Sequence, residues 1–204
     1  MNNNITQIVK DLISRKKEGD YWDFKVIHHK NNKDLIKDII CLANVTSHKG
    51  DRYIIFGVKD GTYEIMGLDE NKNLNNIMDL LKNTSFANKD HPDIDLEAIE
   101  LEGKKLDVLI IKDKPKKPYY LDKQYKFDSK FMYAGTIYSR TGDRNTADDS
   151  VASVAEIEMM WKERFGLDQD PLDRVLQYLK RADEWMDRES ISYFKQFPEF
   201  TIDR

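Results

Sequence analysis

Tyr53-Ile54-Ile55-Phe56-Gly57-Val58 is an unbroken apolar run, bounded by Gly50-Asp51-Arg52 before it and Lys59-Asp60-Gly61 after it. A run this short and this rich in aromatic and β-branched residues reads as a strand buried on both faces. The Asp60-Gly61 pair then predicts a hairpin turn into Tyr63–Leu68. On the N-terminal side, Leu35, Ile36, Ile39, Ile40, Leu42 and Ala43 make a broad apolar face on a helix over Asp34–Val45, where Cys41 also packs. Further back, Trp22, Phe24 and Val26 alternate with Asp23 and Lys25, so Tyr21–Ile27 reads as a strand with one polar face. Ile5, Ile8, Val9, Leu12 and Ile13 recur at helical spacing. That first helix ends near Glu18-Gly19, with Arg15, Lys16 and Lys17 at the negative end of its dipole.

Downstream, a helix is expected over Asn73–Lys82, and strands Ile94–Leu101 and Lys105–Lys112 flank the turn Glu102-Gly103-Lys104. A basic, proline-broken loop covers Lys112–Pro118. Tyr119–Phe127 and Met132–Arg140 read as strands, and Thr141-Gly142-Asp143-Arg144-Asn145 as a turn. Ser153–Phe165 starts with a Ser153/Glu156 capping pair, and Pro171–Asp187 with proline at an allowed first-turn position, so both are expected as helices. Phe197–Ile202 reads as the start of another strand. The fold class is α+β, with a core domain over residues 1–146 and a helical C-terminal appendage over 147–204 packed on or adjoining it.

The 204 residues are 40% hydrophobic and 34% charged, with 9 Gly and 5 Pro, which excludes collagen-like and wholly disordered chains. No run reaches the eighteen or so apolar residues of a membrane span. The start MNNNITQIVKDLISRKK lacks a secretory apolar segment, so the expected address is cytoplasmic. A single cysteine, Cys41, excludes an internal disulfide and any CxxC site. The net charge of −4 is unevenly spread: +3 over residues 1–60, −1 over 61–146 and −6 over 147–204. The acidity belongs to the C-terminal quarter and does not exclude a nucleic-acid partner for the rest.

Four ordered motifs point further. They are Glu18-Gly19-Asp20-Tyr21-Trp22-Asp23-Phe24-Lys25, then Asp38-Ile39-Ile40-Cys41-Leu42-Ala43-Asn44-Val45, then Tyr53–Gly61 followed by Gly67-Leu68, then Tyr138-Ser139-Arg140-Thr141-Gly142 ahead of a helix holding Glu156 and Ile157. In this order the chain resembles the Schlafen/AlbA_2 domain family over about Leu12–Trp161. Two departures stand out. The family's E-F-K is Asp23-Phe24-Lys25, and its A-N-T-x-G-G is Ala43-Asn44-Val45-Thr46-Ser47-His48-Lys49-Gly50, with a small insertion and one glycine missing.

The resemblance implies a Schlafen/AlbA_2-like mixed sheet flanked by helices. It also implies a divalent-metal-dependent endoribonuclease acting on structured, tRNA-like RNA, in a cellular or anti-phage defence setting. Carried over residue by residue, Glu18, Asp23 and Asp60 become the catalytic carboxylates and ligands of Mg²⁺ or Mn²⁺. Hard cations suit carboxylate oxygen, and a metal can neutralise phosphate and activate a nucleophile. Lys25, on the same strand face as Asp23, is expected to meet phosphate. Arg140, Arg144 and the loop lysines Lys112, Lys114, Lys116 and Lys117, with Tyr119 and Tyr120 behind them, complete the expected nucleic-acid contacts. Lys30, Lys33 and Lys37 add basic charge around the second helix, and His28 and His29 are read as surface residues.

Three other readings stay open. One is a non-catalytic module that binds DNA or RNA. Another is a protein-interaction domain or homo-oligomer joined through the acidic C-terminal helices, which carry Trp161, Trp185, Met159, Met160 and Met186. The third is a different nuclease constellation, His91-Pro92-Asp93 with Glu102-Gly103-Lys104, although the latter sits where a hairpin turn is expected. No G-x4-G-K-[ST] loop or G-x-G-x-x-G turn is present for a nucleotide phosphate.

Overall fold

Helix α1 (Asn3–Ser14) begins the computed structural model, which describes residues 3–195 and 197–203. Ile5, Val9 and Leu12, spaced four and then three apart, are its buried stripe. β1 (Trp22–Lys25), α2 (Asn32–Ala43) and β2 (Arg52–Phe56) follow. Asn31 caps α2, its side-chain oxygen accepting the Asp34 N–H at 2.9 Å. β1 and β2 pair in parallel, Trp22 opposite Tyr53 and Lys25 opposite Phe56, and α2 is the crossover that a parallel pair requires.

All of β2 is buried, and alternate residues serve opposite layers. Tyr53 and Ile55 join α1, Trp22 and Phe24 on one face, while Ile54 and Phe56 join α2 on the other. At Gly57 the backbone turns to φ +96, where an added Cβ would meet Leu106 Cδ2 at 2.5 Å. The chain then makes the expected hairpin, β3 (Val58–Lys59) with β4 (Glu64–Ile65). After α3 (Leu74–Asn83), β5 (Ile94–Leu101) and β6 (Lys104–Ile111) form a hairpin about Glu102-Gly103 and complete a four-stranded mixed sheet in the order β1-β2-β6-β5. Glu102 thus lies in the tight turn, outside the strand in which the second nuclease constellation needs its acid, and Lys104 only opens β6 opposite Leu101.

The stretch 119–140 carries less strand than its alternation predicts. β7 (Tyr125–Phe127) and β8 (Lys130–Met132) form a short hairpin, and β9 (Arg140–Thr141) pairs with β10 (Arg144–Asn145). Tyr119 and Tyr138 are buried by packing rather than by sheet pairing: their backbones are held by Asn44, whose Nδ2 donates to both carbonyls at 2.8 and 2.7 Å and whose Oδ1 accepts from the Tyr119 N–H at 2.7 Å. α4 (Val154–Phe165) opens with the expected capping pair, the Ser153 N–H donating to Glu156 Oε2 at 2.9 Å. Met160 packs there with Ile137 and Ala152.

Residues up to Trp161 form one compact unit and those from Lys162 a second. The second unit holds α5 (Pro171–Leu179), capped by Asp170, and beyond the expected helices it contains an antiparallel sheet of β11 (Trp185–Arg188), β12 (Ile191–Phe194) and β13 (Phe197–Asp203). α5 ends eight residues before the periodicity suggests. Trp185 is paired across the sheet with Phe194 at a ring separation of 5.6 Å, and Phe194 stacks on Tyr178 at 4.6 Å. The apolar residues that continue the helical pattern are used as strand residues instead. Among the described residues no helix is long and apolar enough to cross a membrane.

Candidate functional site

The α1–β1 loop folds tightly enough to set two carboxylates side by side. Trp22 Nε1 donates to the Lys17 carbonyl at 3.0 Å, and Gly19 lies against the Trp22 ring, where an added Cβ would come within 2.2 Å of ring carbon. The loop is pinned to β1 by Glu18 Oε1, which accepts the Phe24 N–H at 2.7 Å. Asp23, on β1, is buried two residues before Lys25, so the two share a strand face and form an ion pair.

Arg140 on β9 ties the cluster together. Its Nη2 reaches Glu18 Oε2 and Asp23 Oδ1 at 3.2 Å each, and its Nε donates to the Gly19 carbonyl at 2.8 Å. Its Nη1 donates to Asn145 Oδ1 at 2.9 Å, and Asn145 Nδ2 donates in turn to Asp38 Oδ1 at 2.8 Å. Asp38, on α2, also meets His29 Nε2 at 2.7 Å and Lys25 Nζ at 3.6 Å. Glu18, Asp23, Asp38, Lys25, His29 and Arg140 thus form one connected network drawn from five segments of the chain.

Its electrostatics follow from burial and neighbours. Burial pushes the Glu18 carboxyl up, the Asp23 charge adds to that, and the Phe24 N–H and Arg140 offset only part, leaving it at about 7. Burial alone would lower the Lys25 ammonium, but Asp23, Asp38 and Glu18 outweigh it and raise its pKa. Burial alone would raise Asp38; the His29 hydrogen bond and the charges of Lys25, His29 and Arg140 hold it below the usual carboxylate range. Lys25 stays cationic, and Glu18 is a carboxyl that changes charge near neutrality.

Asp60 lies apart. It is exposed in the turn after β3 and makes no hydrogen bond or ion pair to the cluster. Its charge, after burial and together with Glu18 and Asp143, raises the Tyr63 hydroxyl. Among the described residues no three His, Cys, Asp or Glu side chains group as a metal-ligand set. Glu18 and Asp23 converge on a buried guanidinium, and a divalent ion between them would have to sit against that fixed positive charge. In this arrangement the residues do not fit Mg²⁺ or Mn²⁺.

The expected nucleic-acid contacts divide as well. Lys117 is fully buried, with its ammonium 3.0 Å from Asp113, and serves the fold instead of a ligand. Lys112, Lys114 and Lys116 each sit on an aspartate: Asp51 at 3.0 Å, Asp93 at 3.3 Å and Asp90 at 3.0 Å. Arg140 is buried in the network. Lys33 and Lys37 are buried and converge on Asp148. His28 and His29 are not surface residues either, being paired with Asp107 and Asp38. Lys112 and Lys114 stay 38% and 45% exposed; Lys25, paired with Asp23 and Asp38, is 33% exposed, and Arg144, 90% exposed, lies on the strand that carries Asn145.

Lys25, His29, Lys37, Asp38 and Asn145 line a cleft of about 350 Å³. Asp38 and Asn145 were not singled out as functional. Asp38 stood in a quoted motif, but its helical register alone does not tell a surface acid from one facing β10. The altered loop after Asn44 has its own support: Arg52, fully buried, donates to the Val45, His48 and Gly50 carbonyls and pairs with Asp113 at 2.5 Å.

In comparison with known proteins, the family model described as Schlafen, AlbA_2 matches residues 18–147. No curated protein matches the chain. Among solved structures it is similar to the DIP2311 protein from Corynebacterium diphtheriae, at 15% identity and a TM-score of 0.44, over 69% of this chain and 29% of that one.

Proposed function

The chain belongs to the Schlafen AlbA_2 family, whose work is nucleic-acid-related, and from that membership we propose that it is a nucleic-acid-binding domain with RNA as its ligand. The observation that carries the reading is the cleft in which Lys25 is partly open and held cationic by Asp23 and Asp38, with the exposed Arg144 next in the chain to its lining residue Asn145. An ammonium braced by buried carboxylates is positioned without spending its own side-chain freedom, which suits a phosphate arriving from solvent. Arg144 then offers a guanidinium that can meet phosphate in two places. Arg140 fixes both strands instead of touching ligand. Cleavage through a divalent cation is not part of this reading, because Glu18 and Asp23 already converge on the Arg140 guanidinium.

Anisotropy titration of a fluorescent tRNA and of a DNA duplex of equal charge tests it, with Arg144→Ala and Lys25→Gln as variants. Tighter binding of the RNA is expected. Each variant should lower the slope of log affinity against log salt by about 0.7 to 0.9, the effect of one lost phosphate contact. Unchanged slopes in both variants remove the cleft from the interface, and tighter DNA binding reverses the choice of ligand.

A further inference from the structure

On the β7–β8 hairpin the basic side chains are not spent on aspartates. Lys123, Lys126 and Lys130 are exposed and form no ion pair among the described residues, unlike Lys112, Lys114 and Lys116. Register places Lys126 opposite Phe131 and Phe127 opposite Lys130, so each lysine has an aromatic ring as its cross-strand neighbour. Lys126 Nζ stands 5.7 Å from the centre of the Phe131 ring. Phe131 stacks on Tyr133 with ring centres 6.2 Å apart and planes 24° from parallel. Tyr133 is 53% exposed and Phe127 39%. The hairpin thus presents partly exposed rings and ammonium groups together at its surface.

Aromatic faces flanked by free cations are the chemistry that takes up unpaired bases while their phosphates meet the lysines. Base-paired strands keep their faces covered by neighbouring pairs and cannot use such rings. We propose that the β7–β8 hairpin is a stacking platform for unpaired nucleotides, with Tyr133 and Phe131 as the base-binding rings and Lys126, on the same face as Phe131, as the phosphate contact. This rests on the nucleic-acid-binding reading above and adds a second contact region and a preference for single strands.

The test uses the full chain and a fluorescent single-stranded RNA of about 12 nucleotides, free or annealed to its complement, with the fold of each variant checked by circular dichroism. The wild type is expected to bind the single strand more tightly than the duplex. Tyr133→Ala should weaken single-strand binding by roughly five- to a hundredfold, the range of one lost base stack, while Tyr133→Phe retains it. Lys126→Gln should flatten the salt dependence. If the wild type binds and Arg144→Ala weakens it but Tyr133→Ala and Lys126→Gln leave single-strand affinity unchanged, the platform is overturned and the cleft stands. If the wild type binds neither RNA, the nucleic-acid reading falls and takes the platform with it.

Discussion

Asn44 ties together backbone segments far apart in the chain. Its side chain makes three buried hydrogen bonds to the backbone of Tyr119 and Tyr138, 75 and 94 residues away. Alanine there strands two carbonyls and an N–H, so Asn44→Ala should cost about 2–4 kcal/mol, read as a lower urea midpoint. The motif was legible in the sequence and its role was not, because a long-range amide staple leaves no local periodicity. Glu18 and Asp23 were legible as a pair for the opposite reason: a short loop and a strand register set their separation. Their counter-ion Arg140, more than 100 residues on, was legible only as a basic residue, so its burial against both acids overturned its expected role as a phosphate grip. Glu18 also makes a pH prediction. Its pKa rises from 4.5 to about 7 in the folded protein, so the stability it contributes is complete below pH 4.5 and is lost as pH rises through about 7. Glu18→Gln keeps an acceptor for the Phe24 N–H and should flatten the fall of the melting temperature across that window. An unchanged profile would place the Glu18 carboxyl in ordinary solvent.

Among elements, those whose partners are near in sequence were the readable ones. β2 announced itself by an apolar run, the β5–β6 turn by Glu102-Gly103, and the start of α4 by Ser153 with Glu156 three residues on. That last device is testable: Ser153→Ala removes the hydroxyl that accepts the Glu156 N–H and donates to its carboxylate, and should cost about 1 kcal/mol in thermal or urea unfolding. No change would mean that α4 is held by packing at Met160 alone. Elements paired across irregular chain were harder. The segment from Tyr119 to Arg140 alternates like a strand, yet its pairing is confined to a bridge from Leu121 to Phe86, three residues at each arm of β7–β8 and Arg140 on β9, because Asn44 and the core take up the backbone and side chains between them. Beyond Leu179 the aromatic residues fit a helical stripe and a strand alternation about equally, and pairing of Trp185 with Phe194 decides for the strand.

Over the whole molecule, charge is used mostly inward. The lysines that looked like a nucleic-acid surface in the sequence are largely neutralised by aspartates brought from elsewhere in the chain, which no linear count of charge can reveal. Among the positive groups left exposed are Arg144 on β10 and Lys126 and Lys130 on the β7–β8 hairpin, while Lys25 is partly open in the cleft. The buried acids, in turn, face Arg140 and Lys25, and the proposed binding is therefore expected to need no divalent ion. The most direct measurement is the affinity of the full chain for fluorescent tRNA between about 50 and 200 mM salt, with EDTA present throughout. Binding that persists in EDTA, weakens as salt rises and loses slope in Arg144→Ala is the expected result. Binding that vanishes in EDTA and returns with Mn²⁺, or an affinity indifferent to salt, would contradict it.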